Sequence, residues 1–111
     1  MSTKGDNMTV DYNILNPSMD ANTRTNPKGY VTSGRWPLFP NVAASLPGKT
    51  VTFSQNMTSP AFLGGIVDSV VHVPAPGDKS SRYVIVFKGD HDLIGDTSHY
   101  GIENQYPVRK I

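Results

Sequence analysis

The chain has no cysteine, and only one glutamate and one tryptophan among 111 residues. The missing cysteine excludes disulfides, thiolate metal centres and thiol catalysis. No apolar run approaches the roughly 18 residues needed for a membrane-spanning helix. Charge is sparse as well: Asp, Glu, Lys and Arg make up 17% of the chain and leave a net charge of +1. So even a balance lacks the field of a dedicated nucleic-acid or anionic-membrane binder. Met1 to Asn7 carry no apolar core of the signal-peptide kind, so the expectation is a chain kept in the cytoplasm or built there into something larger.

Helix formers are few as well, with five alanines and five leucines. Against them stand eleven valines, nine threonines, ten glycines and nine prolines. Valine and threonine lose rotamer freedom in a helix but pack well on a pleated sheet. Proline and glycine interrupt every window with helical apolar spacing. These residues predict an all-β protein: a small sandwich, a jelly roll or an SH3-like barrel.

The first 48 residues hold six of the eight asparagines and five of the nine prolines. Their apolar residues come singly or in pairs, and Asn16 to Gly29 is dense in turn chemistry. Such a stretch buries too little surface to order itself, so 1–48 reads as an extended arm, either flexible or a strap that lies on a partner. Val10, Tyr12 and Ile14 alternate with polar residues, which allows one short strand there. With Tyr30, Trp36 and Phe39 they form the expected partner-binding set, since aromatics dominate interface hot spots. Trp36 and Phe39 have a second reading as plugs for one end of the β domain.

Residues 49–111 read as that domain. Strands are expected at 50–54, 66–73, 82–88 and 106–111, with Pro74 to Ser81 as a hairpin loop. Gly64-Gly65 suggests a bulge. In the second strand Val67, Val71 and Val73 share one face. Both faces of 82–88 are apolar, which suits a central strand. Pro107 suits an edge.

Candidate chemistry is thin. Ala43 to Thr50 resembles a loosened phosphate loop, but that device needs a strand before it and a helix after it. Asp90, Asp92 and Asp96, with His91 and His99 nearby, form the one cluster able to suggest a divalent cation. Asp and Gly are also the ordinary residues of a solvated loop. Ser98 and His99 are adjacent, so on a strand they would point apart rather than act as nucleophile and base. Neither catalysis nor a cofactor is expected. Asn7-Met8-Thr9 and Asn56-Met57-Thr58 match the glycosylation pattern, without a secretory context to use it. Arg82, Lys88, Arg109 and Lys110 could offer a nucleic acid a basic face, but residues 49–111 carry six basic and six acidic residues.

A polar arm over 1–48 followed by a compact β domain resembles the small decoration, or cement, proteins of tailed-bacteriophage capsids. The resemblance lies in overall plan. It implies a non-enzymatic protein that clamps capsid shell subunits as a dimer or trimer in the virion. The alternative is a small SH3-like barrel that binds nucleic acid or a nucleic-acid enzyme as a regulator.

Overall fold

The computed structural model describes residues 9–17, 24–25, 27–73, 82–103 and 107–111. Seven strands form one mixed sheet. They are β1 Tyr12–Leu15, β2 Arg24–Thr25, β3 Tyr30–Pro37, β4 Thr50–Ser54, β5 Ala61–His72, β6 Arg82–Gly89 and β7 Val108–Lys110. Their order across the sheet is β2-β3-β6-β5-β4-β1-β7. Among the described residues one α-helix, α1, spans Pro40–Ser45.

The all-β class is as expected from valine, threonine and proline usage. The division at residue 48 is not what the structure has. β1 runs parallel to β4, with Tyr12 opposite Val51 and Ile14 opposite Phe53. β3 pairs antiparallel with β6 at both ends, from Tyr30 to Ser33 and at Trp36 and Pro37, with an irregularity between. Of the three strands described in the expected arm, β1 and β3 therefore pair directly with strands of 49–111, and β2 joins the same sheet through β3. The reason is physical. Each strand is too short to bury its own surface, but the sheet supplies the missing hydrogen-bond partners and apolar neighbours. Residues 1–8, 18–23 and 26 of the expected arm lie outside the described residues, as does the 74–81 hairpin loop.

The sheet curls around one apolar face. β3 and β4 are three strand spacings apart, about 14 Å in a flat sheet. The Trp36 and Phe53 rings nonetheless sit 6.2 Å apart. Phe53 and Phe87, from strands two spacings apart, stack at 5.2 Å. Tyr12, Ile14, Val31, Val51, Val67 and Ile85 complete this core. The chain between β3 and β4 adds Leu38, Ala43 and Leu46 to it. The helix went unforeseen because it is only 6 residues long, too short to show helical periodicity. Pro40 starts it, where a missing N–H costs no bond.

The strand expectations need three adjustments. β5 starts at Ala61 rather than 66, and the last strand is Val108–Lys110 rather than 106–111. Gly64 and Gly65 stay in register with β4 instead of forming a bulge. They are small because neighbours press on them: a Cβ on Gly65 would lie 2.1 Å from the Lys88 carbonyl oxygen. The irregularity falls between Val67 and Ser69. The extra residue reverses the facing of the rest of the strand, so Val70 packs against the core and Val71 is exposed.

Candidate docking surface and a buried polar face

The six residues expected to bind a partner separate sharply. Val10, Tyr12 and Ile14 are buried, and Trp36 packs against the core while its Nε1 donates to Ser33 Oγ at 2.9 Å. Tyr30 is half-buried at the start of β3. The alternating β1 side chains serve the chain's own core, which removes Val10 and Ile14 as partner contacts in this fold and leaves Tyr12 only an edge on a surface cleft. For Trp36 the plug reading fits. Phe39 is different: 68% of it is exposed.

Its position is set by its neighbours. Pro37 and Pro40 restrict the backbone on both sides. Leu38 is buried and anchors the turn. Phe39 itself is the N-cap residue of α1, in extended conformation, so its side chain leaves the surface where the strand ends and the helix begins. Beside it lies a cleft of about 280 Å³ lined by Tyr12, Pro37, Leu38, Val42, Val108 and Lys110. The exposed ring and the cleft together form a largely apolar surface at the β7 edge of the sheet.

The aspartates of the 89–101 loop hold its turns. Asp90 Oδ1 accepts from the Asp92 N–H at 2.9 Å. Asp96 accepts from both the N–H and the hydroxyl of Ser98 at 2.9 Å. The three carboxylates do not converge, and among the described residues no group of three or more His, Asp or Glu could hold a metal ion. Ser98 is turned toward Asp96 and His99 toward the Ser59 carbonyl, so the two do not form a nucleophile–base pair. His72 lies on the Tyr83 ring, 5.0 Å between centroids. Asn56 Oδ1 accepts from the N–H and hydroxyl of Thr58 and the hydroxyl of Ser59. Gly48 has a φ of 85° and follows a helix, with a strand after it. This order is the reverse of a phosphate loop. The basic residues do not gather either: Arg109 is buried, and exposed Lys88 and Lys110 sit on strands four places apart in the sheet.

The second face of β1 and β4 holds what the sequence reading missed. Asn13, Thr52, Ser54 and Arg109 are all fully buried there. Asn13 Nδ2 donates to Thr52 Oγ1 and Ser54 Oγ, each at 3.1 Å. Arg109 Nη2 donates to Asn13 Oδ1, and Nη1 donates to the Ile102 carbonyl at 3.3 Å. The segment from Asp90 to Glu103 covers this face. Its Leu93 is fully buried against Gly64. His99, also fully buried, donates from Nε2 to the Ser59 carbonyl at 2.7 Å. Burial holds its pKa below the usual histidine value, reinforced by the Arg109 charge and opposed by the Ser59 bond and Asp96. The signal in the sequence was the alternation of Asn13 with Tyr12 and Ile14. It marks a second face but does not say that the face is covered.

No protein-family model, curated protein or solved structure matches this chain.

Proposed function

We propose that this chain is a non-enzymatic structural protein that attaches to a larger protein assembly, and that the assembly is a virion capsid shell. Phe39 carries the reading: a large aromatic side chain held out of the surface by a rigid Pro-Leu-Phe-Pro turn. A backbone already restricted by two prolines loses little conformational freedom on binding, so more of the ring's burial appears as affinity. Aromatic anchors of this kind dominate interface energies. The loop residues Asp90, Asp96 and Asn56 and the covered residues Asn13, Thr52 and Ser54 support the same view, because their side chains are engaged in structural hydrogen bonds. Attachment in this proposal runs through the Phe39 turn and its cleft, not through a strap built from Val10, Tyr12 and Ile14.

The test is co-sedimentation of the purified chain with intact capsids from its source. The expected result is stoichiometric binding by the wild type, as a dimer or trimer by light scattering, and loss of binding by Phe39→Ser. Binding undiminished in the variant overturns the assignment of Phe39. Salt-sensitive retention on DNA or RNA, with no capsid binding, would favour a nucleic-acid regulator instead.

A further inference from the structure

We infer that the segment from Asp90 to Glu103 is an acid-opened latch, held closed by neutral His99 and released when His99 takes a second proton. The inference is independent of the docking role. Five polar ties fasten the segment. The Asp90 N–H donates to Gly64 O at 2.9 Å, Gly95 N–H to Ala61 O at 2.7 Å, and Ala61 N–H to Asp96 O at 2.9 Å. His99 Nε2 adds the Ser59 bond, and Arg109 Nη1 reaches Ile102 O. Four of these ties join the segment to β5 or the turn before it, and the fifth joins it to β7.

His99 is the tie whose chemistry depends on pH. A carbonyl oxygen can only accept, so Nε2 carries the proton and Nδ1 is a bare lone pair. That Nδ1 atom is buried and has no hydrogen-bond partner. A proton added there gains no acceptor, and it places a cation in a dry site beside the Arg109 guanidinium. Asp96, on the same segment, is the charge that favours the proton. The Tyr100 ring meets the imidazole edge-to-face, 5.0 Å between centroids. Swinging the segment outward gives both imidazole nitrogens water and separates His99 from Arg109. Neutral His99 therefore favours the closed segment and the protonated form the open one. Opening becomes easier as pH falls below about 6.5, up to tenfold per pH unit, until the closed-form pKa is reached.

The experiment uses the full chain. Amide hydrogen exchange at Ala61, Asp90 and Gly95, corrected for intrinsic rates, is compared at pH 7.5 and 5.5. Val51 and Phe87 serve as internal controls. Opening at the first three is expected to rise by up to about tenfold and to stay more frequent than the global opening read at Val51 and Phe87, which follows the same proton; exchange at all five sites only at the global rate overturns the latch. In His99→Gln, whose amide can still donate to Ser59, the rise should vanish. If that variant does not fold, a nitrogen-15 imidazole titration of the wild type decides. Nδ1 unprotonated below pH 6.5 in the closed form supports the latch, and an ordinary or raised His99 pKa overturns it. An acid response retained in His99→Gln overturns it equally.

Discussion

The two faces of the sheet at β1 and β4 are buried to the same degree by opposite means. One presents Ile14, Val51 and Phe53 to an apolar core; the other presents Asn13, Thr52 and Ser54 to Arg109. Apolar burial is non-directional and scales with area removed from water. Polar burial is stable only when hydrogen bonds are complete, and it penalises any register that breaks them. The apolar face supplies the drive to fold. The polar face fixes which residue stands beside which, including the parallel β1–β4 pairing that the flanking sequence does not specify.

The comparison breaks most readily at the apolar face. Phe53 is fully buried between Trp36 and Phe87. Phe53→Ala should lower unfolding free energy by about 3–5 kcal/mol, the range for a buried aromatic that leaves a cavity. Urea denaturation measures this, and a loss below about 1 kcal/mol would remove Phe53 from the centre of the core. The polar face should respond less, and differently. Asn13→Leu removes the acceptor of Arg109 Nη2 and the donor to Thr52 and Ser54. It should cost about 2–3 kcal/mol, and Arg109→Met about the same. Because the two share one network, the double variant should lose clearly less than the sum. Additive losses would show that the bond between them contributes nothing.

A pH series sharpens the difference further, because Ile14, Val51 and Phe53 carry nothing to titrate. His99 has its folded-state pKa lowered by burial. The unfolded chain therefore binds a proton near pH 6.5 that the folded chain does not. Stability is complete above that pH and falls as pH drops toward the folded-state value, with a slope of at most about 1.4 kcal/mol per pH unit. Denaturation midpoints between pH 7.5 and 5 would show the decline, and His99→Gln should flatten its upper part.

How much of this was legible in the sequence varies with the range of the interaction. Local pattern sufficed for Thr50–Ser54 and for the body of β6, where apolar residues on both faces marked a strand with neighbours on both sides. It sufficed for the aspartates too, since Asp90 and Asp96 do cap turns. It failed where a residue's role depends on a distant partner. Val10, Tyr12 and Ile14 read as an arm because their β4 neighbours lie about forty positions away. Arg109 read as a surface cation because nothing near it in the chain announces Asn13. Val71 read as a core residue because a one-residue irregularity after Val67 has no compositional mark. Phe39 had two readings in the sequence, as a plug or as an anchor, and the structure adds that it stands outside while Leu38 turns in.

The smallest expected effect on stability falls at that turn, and it is the most informative about function. Phe39 is 68% exposed and Leu38 only 7%. If the segment were an ordinary cap on the core, both substitutions would destabilise. If Phe39 is instead held out for a partner, the two separate. Leu38→Ala should cost about 2–3 kcal/mol, as for a buried aliphatic side chain. Phe39→Ser should change stability by less than about 0.5 kcal/mol, as for a surface site, or raise solubility by removing an exposed ring. Paired denaturation and co-sedimentation of the two variants resolve the question. Loss of attachment with unchanged stability in Phe39→Ser, beside the reverse in a Leu38→Ala chain that still folds, places the contact on the outward residue. Equal destabilisation by both would make the turn a core element and leave the docking surface to be sought elsewhere on the sheet.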